Sequence, residues 1–293
     1  MKADMTLLSG RRETGGVYLA GGRLLTRVEE PDQALTARNL EAVRALAEKS
    51  SVPVYFTLIP SSAEIYRHLL PFGAPTFDEK ALMEQASALP GVLWFSSFPA
   101  LSLNREEEIY YKTDHHWTTL GAYYGYAAAS EAMGFSPEKK PEHPVEVSDS
   151  FLGTAYSASG VRFLPSDHIF RAVDEEGISV SVYEDGVFSP GALYHPEALN
   201  TKDQYAYFLG GNHPLAVIRT QADGPRLLLL RDSYADCEVP YLAAHFSEIH
   251  LIDLRYWRES VVDYLKDAEI DLVLVSYSAS HFIRDGNLFL MAH

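Results

Sequence analysis

Two apolar patterns alternate along this chain: short unbroken runs, and stretches in which apolar residues return every three or four positions. Val52 to Ile59, Val92 to Phe95, Leu227 to Leu230, Ile249 to Leu254 and Asp271 to Ser276 are of the first kind. Short apolar runs of this sort read as strands buried on both faces, as in a parallel sheet covered by helices. Pro31 to Ser51 is of the second kind, with Leu35, Leu40, Val43, Leu46 and Ala47 at helical spacing and charges between them. Ala63–Leu70, Asp78–Leu89, Leu120–Met133, Cys237–His245 and Glu259–Lys266 also read as helices, the third capped by Thr118 or Thr119. The resulting order of helix and strand is the α/β pattern. Gly15 to Leu25 reads as a short hairpin punctuated by two Gly-Gly pairs. From Ser136 to about Val217 the helical period disappears, and alternating β-formers such as Ile178–Tyr183 take over. Residues 136–217 are therefore expected to form an irregular β-rich insertion, or a lid over the sheet's carboxyl edge, within one α/β domain spanning 1–293.

The run Leu227 to Leu230 ends abruptly in Arg231-Asp232-Ser233-Tyr234, followed by a helix-compatible stretch. Polar residues at the carboxyl end of a buried strand lie where open α/β sheets receive their ligands. Ser233 then sits at a strand-to-helix turn, its hydroxyl exposed and backbone N–H groups near a helix start to hold an oxyanion. Asp232 and Ser233 are equally good helix caps, so this segment alone leaves both readings open.

Composition narrows the classes. Apolar residues make up 47% and aromatics 12%, enough for a substantial core. The balance of 24 basic against 40 acidic residues, −16 in all, comes with no basic run, which argues against nucleic acid as a partner. The single cysteine, Cys237, excludes an intramolecular disulfide and a Cys-rich zinc site, and is expected to pack as a small hydrophobe. No stretch has the roughly 18 apolar residues needed to cross a bilayer. The start, Met1 to Met5, lacks a signal peptide's apolar core, so an exported protein would have lost its targeting segment from this sequence.

A serine nucleophile needs a base within hydrogen-bond reach and an acid to orient that base. Among the 11 histidines, His68, His143, His168, His195, His245 and His250 sit in ordinary surroundings. Asp114 and His116 differ, falling just before a helix and flanked by Trp117 and by Tyr110 and Tyr111. In an extended turn the two side chains project to one side, so Asp114 can hold one imidazole nitrogen while the other faces Ser233. His115 is expected to point away and to be structural. The same Asp114-His115-His116 run also suggests metal ligands, as in DHH phosphoesterases. That motif follows an apolar strand, which Tyr110-Tyr111-Lys112-Thr113 is not; no metal and no cofactor are expected.

These residues carry a resemblance. YYKTDHHWTTLGAYYGYAA and LRDSYADCEVPYLAAHFSEIHLIDLRYW, with GVYLAGGRLL and YFLGGNHPL, resemble the bacterial DHHW family. That family is similar to the SGNH-hydrolase-like proteins of alginate and other exopolysaccharide O-acetylation. The resemblance implies an SGNH-hydrolase-like (flavodoxin-like) parallel sheet with helices on both faces, circularly permuted so that the serine follows the histidine. It implies Ser233 as nucleophile, His116 as base and Asp114 as orienter. The implied function is a serine esterase or O-acetyltransferase acting on acetylated cell-envelope or exopolysaccharide glycans, outside the cytoplasm, with a membrane O-acyltransferase as partner. This sequence departs from the pattern at Arg231, where a GDSL-like block has glycine, and at Val275–Ser280, which lacks the usual oxyanion asparagine. Tyr277 and Ser278 in that stretch, and Asn212 in Gly210-Gly211-Asn212-His213, are the candidate substitutes, Asn212 reading equally as part of a tight turn. Arg255, after the Ile249–Leu254 strand, either binds an anionic substrate group or braces Asp232. The competing function is a glycan- or protein-binding envelope protein on the same fold, without chemistry.

Overall fold

The computed structural model describes residues 13–293. Its strands, in chain order, are β1 Glu13–Thr14, β2 Val17–Ala20, β3 Arg23–Thr26, β4 Val54–Ile59, β5 Leu93–Trp94, β6 Val145–Phe151, β7 Asp167–Arg171, β8 Ser179–Glu184, β9 Val187–Gly191, β10 Leu215–Arg219, β11 Arg226–Arg231, β12 Glu248–Ile252 and β13 Leu272–Ser278. The central sheet is eight-stranded, in the order β5-β4-β13-β11-β12-β10-β8-β9. Strands β5, β4, β13, β11 and β12 run parallel, with β11 in the middle between β13 and β12.

The four leucines of β11 show why this run forms a central strand. Leu227 and Leu229 enter the core on one face, Leu228 and Leu230 the core on the other, and all four are fully buried. On the second face lie the helices Gln33–Lys49, Glu79–Ser87 and Val261–Asp267, contributing Val43, Leu46, Leu82, Met83 and Val261. On the first lie the helix Thr119–Ala132 and an aromatic cluster including Tyr110, Tyr111, Trp117 and Tyr205. Asp32, Asp78, Thr118 and Ser260 each cap a helix by accepting from backbone N–H groups of its first turn.

Two features differ from the sequence reading. The sheet is not wholly parallel: β10 pairs antiparallel with β12, β8 with β10 and β9 with β8, so part of the 136–217 segment extends the sheet. Cys237–His245 is not one helix either. A 3₁₀ turn, Ser233–Cys237, precedes a short helix, Val239–Leu242, because Pro240 lacks the N–H a continuous helix would need.

Leu229→Ala deletes a fully buried side chain from the middle of the sheet. The expected loss of unfolding free energy is about 2–5 kcal/mol, measured as a lowered urea midpoint.

Candidate active site

The parallel strands end in a row of short polar side chains. After β4 come Ser61 and Ser62, after β11 Asp232 and Ser233, and at the end of β13 Ser278. These line a cavity of about 340 Å³ together with His115, Thr154 and Arg255. A second cavity of about the same volume, lined by Tyr110, Thr119, Phe170 and Tyr241, does not include Ser233.

At the end of β11 the two readings of Asp232 and Ser233 separate. Asp232 is the cap: its Oδ1 accepts from Tyr234 N at 3.0 Å. Its Oδ2 accepts from Ser278 N at 2.8 Å and Ser278 Oγ at 2.7 Å, tying β11 to the neighbouring β13. Ser233 caps nothing; its Oγ lies 2.8 Å from His116 Nε2. Its backbone N–H opens a helical turn and has no preceding carbonyl of that turn to bond.

The histidine turn is held from within and by the segment that starts at Gly153. Asp114 Oδ1 lies 2.6 Å from His116 Nδ1 and accepts from His116 N at 3.0 Å. Asp114 Oδ2 accepts from Thr154 N at 2.7 Å and Thr154 Oγ1 at 2.8 Å, at the start of the helix Thr154–Ser159. Gly153 lets the two segments meet, since a Cβ there would lie 2.3 Å from Asp114 Oδ2. With Asp114 on Nδ1, the hydrogen-bond network assigns the proton to Nδ1 and leaves Nε2 to accept from the serine hydroxyl.

Burial disfavours charge here, but not equally. Desolvation by itself would raise the Asp114 carboxyl; the charges and hydrogen bonds of His115 and His116 outweigh it and hold the group well below its ordinary value. Burial pushes the His116 imidazole below its ordinary 6.5, His115 adds to the shift, and Asp114 opposes it. The pair is thus a carboxylate beside a neutral imidazole at neutral pH, the protonation states a general base requires.

The structure brings Ser233, His116 and Asp114 together and lines the cavity with Ser278 and Arg255. It corrects the other expectations. Asn212 is exposed and does not line the cavity; its side-chain oxygen accepts from Arg231 Nη1 and Arg255 Nη2, both at 2.9 Å, so it braces two guanidinium groups. Tyr277 faces the core on the far side of the sheet, 1% exposed, because alternate residues of β13 point to opposite faces. The Ser278 hydroxyl donates to Asp232 and is not free for an oxyanion. His115 does not point away: its ring lies 3.9 Å from that of His116, and its Nδ1 is 2.7 Å from Thr154 Oγ1. Arg231, where the sequence departs from a GDSL-like block, is buried and pairs with Asp236 at 2.8 Å. Cys237 is buried, and burial raises its thiol well above the ordinary range.

Sequence reasoning passed over Thr154, Gly153 and Tyr205. Tyr205 stacks flat on His116, 3.8 Å between ring centroids and 8° between planes. All three lie in the aperiodic 136–217 segment, where no spacing marks a residue as facing the sheet's edge. Asp114, His115 and His116 have ligand atoms within 4.8 Å of one another, a group capable of approaching a metal ion. The 2.6 Å contact of Asp114 Oδ1 and His116 Nδ1 is a hydrogen bond, which engages these two ligand atoms with each other.

Residues 96–252 match a family model described as DHHW protein, and residues 16–158 match one described as an SGNH hydrolase-like domain, acetyltransferase AlgX. No curated protein matches the sequence. Among solved structures, a DHHW family protein from Eubacterium siraeum is 23% identical with a TM-score of 0.82, covering 95% of each chain. PatB1 of Bacillus cereus is 23% identical with a TM-score of 0.76, over 93% of this chain and 98% of that one. The O-acetyltransferase domain of Pseudomonas putida AlgJ is 13% identical with a TM-score of 0.54, over 92% of this chain and 93% of that one. At these identities the likeness is one of fold: the mixed α/β architecture is SGNH-like.

Gly153→Ala forces a methyl into the space filled by the Asp114 carboxylate. A loss of about 1–3 kcal/mol in stability is expected by thermal or urea denaturation, as for an overpacked site.

Proposed function

The chain belongs to the DHHW family of proteins, and from that premise we propose that it is a serine-dependent O-acetyltransferase or esterase acting on acetylated glycans outside the cytoplasm. The observation that carries this reading is the unbroken hydrogen-bond chain from Asp114 through His116 to Ser233, at 2.6 Å and 2.8 Å. Ser233 Oγ attacks the acetyl carbonyl while His116 Nε2 takes its proton; Asp114 holds the tautomer and stabilises the imidazolium. The carbonyl oxygen becomes an oxyanion against the Ser233 N–H. As the tetrahedral intermediate collapses, the proton passes from His116 to the departing alcohol and leaves an acetyl-serine. Water or a sugar hydroxyl then takes the acetyl group by the same steps in reverse, and the choice of acceptor separates esterase from transferase. For a transferase, the family resemblance points to a membrane O-acyltransferase as source of the acetyl group.

Arg255 belongs to the substrate side of this proposal. Its Nε and Nη2 are held by Asp253 and Asn212, while Nη1 has no protein partner among the described residues. That nitrogen is available to an oxygen or anionic group of the sugar. The aromatic residues around the turn do not serve as sugar platforms, since Tyr110, Tyr111, Trp117 and Tyr234 are buried.

A second reading, glycan binding without turnover, is favoured by the engagement of the Ser278 hydroxyl with Asp232, which takes one side-chain donor away from an oxyanion. Loss of one such donor typically lowers rate by about 10²–10³.

Acetyl-ester hydrolysis by the wild type and its loss in Ser233→Ala are the expected results with acetylated sugars and model esters. A wild type inert toward both, and unlabelled by a serine-directed phosphonate, favours the binding reading. Because only neutral His116 accepts a proton, and burial lowers its pKa, kcat/KM should stay level to below pH 6.5 before falling on the acid side. A midpoint above that value contradicts the assigned base. Arg255→Ala should raise KM for glycan substrates by about 10- to 100-fold while changing kcat less, the size expected for one lost charged hydrogen bond.

A further inference from the structure

We infer that Tyr205 is a positioning residue for His116, fixing the plane of the imidazole against Ser233 and favouring the imidazolium formed as the serine proton is taken. The inference rests on the serine–histidine reading above and adds a fourth side chain to it, contributed by the 3₁₀ turn Gln204–Tyr207 and not by the parallel strands.

The geometry makes two demands that Asp114 alone does not meet. A hydrogen bond at Nδ1 fixes one point of the imidazole and leaves the ring free to pivot about that bond. The flat stack of Tyr205, at 3.8 Å and 8°, removes the pivot on one face, and the tilted ring of His115 packs against the imidazole at 3.9 Å. The Tyr205 hydroxyl donates to the Ser233 carbonyl oxygen at 3.2 Å and lies 3.2 Å from Cys237 Sγ. One side chain therefore touches the face of the base and the backbone of the nucleophile. Were Tyr205 merely filling space, its hydroxyl would not need to end on the residue whose Oγ the stacked ring accepts from.

The second demand is electrostatic. When His116 takes the proton it becomes a buried cation lying on the negative face of a phenol ring. Such an attraction is worth between about 0.5 and 2 kcal/mol, or roughly two- to thirtyfold in rate where it acts on the transition state and not on the ground state. Groups facing His116 are Asp114 and His115 from its own turn, Tyr111 before it, Asp232 and Tyr234 from the serine turn, Cys237 beyond, and Tyr205. Burial raises Tyr111, Tyr205, Tyr234 and Cys237 well above their ordinary values, so they stay neutral. Tyr205 is thus a permanent donor and a π surface, and no acid or base in its own right.

The test uses a fluorophosphonate, which needs no knowledge of the natural substrate. Ser233 Oγ bonds to phosphorus, fluoride leaves, and the serine proton passes to His116. Inactivation rates against pH are measured for wild type, Tyr205→Phe, Tyr205→Leu and Tyr205→Met, with melting curves to confirm folding. Tyr205→Phe keeps the stack: its midpoint should match wild type, with a rate within about threefold. Tyr205→Leu and Tyr205→Met lose the π face: the plateau rate should fall by roughly two- to thirtyfold and the midpoint should move to lower pH. Rates and midpoints equal to wild type in either folded variant, or a midpoint moved upward, overturn the inference. If both fail to fold, the wild type still decides: proton NMR should show the His116 Cε1–H resonance shifted upfield by the tyrosine ring, and an unshifted resonance overturns it. A wild type that is not labelled at Ser233 is a different result, since it removes the serine–histidine reading itself.

Discussion

The arrangement depends on two hydrogen bonds given by aromatic side chains, one from each turn to the backbone of the other. Trp117 Nε1 donates to the carbonyl of Tyr234 at 2.7 Å, and the Tyr234 hydroxyl donates to the carbonyl of His115. Each bond joins the histidine turn to the serine turn across more than a hundred residues of chain, and each runs from a buried side chain to a backbone carbonyl. The bond between His116 and Ser233 spans the same gap but contributes only about 0.5–1.5 kcal/mol net, too little to hold two distant segments in register. Core packing does that work. Trp117 is fully buried, and Gly125 on the helix Thr119–Ala132 leaves the space its indole fills, because a Cβ there would lie 2.5 Å from Trp117 Cη2. The site is therefore built by the core, and its own hydrogen bonds trim the last fraction of an ångström.

How much of this was legible in the sequence follows from how local each signal is. The buried run before Ser233 and the clustered Asp114-His115-His116-Trp117 could be read because a strand's end and a helix's start are marked by neighbouring residues. Asp232 as cap and Ser233 as free hydroxyl could not be separated, since both residue types suit either place; the separation comes from Ser278 on the adjacent strand. Tyr277 was misassigned because a one-residue step along β13 changes the face, and nothing local says which serine or tyrosine turns toward the cavity. Tyr205 and Thr154 were invisible for another reason. They reach the site through turns in an aperiodic segment, and only the fold reveals what a turn approaches.

The buried charges at the carboxyl edge divide into two sets with opposite tasks. Asp114 serves His116, and the N-terminus of a short helix, through Thr154 N, supplies the compensation its burial demands. The second set, Asp232, Asp236 and Asp253 with Arg231 and Arg255, binds the ends of β11, β12 and β13 to one another and to Asn212. Buried ion pairs of this kind add little net stability, but leaving one member unpaired is expensive.

That asymmetry accounts for the departure at Arg231. A glycine there would remove the guanidinium paired with Asp236 and leave only the weaker influence of Arg255, in a site where burial already pushes the carboxyl toward the protonated form. The same guanidinium donates to Asn212, which in turn holds Arg255 at the cavity wall, so the buried pair beneath β11 is linked, through one amide oxygen, to the arginine that lines the cavity.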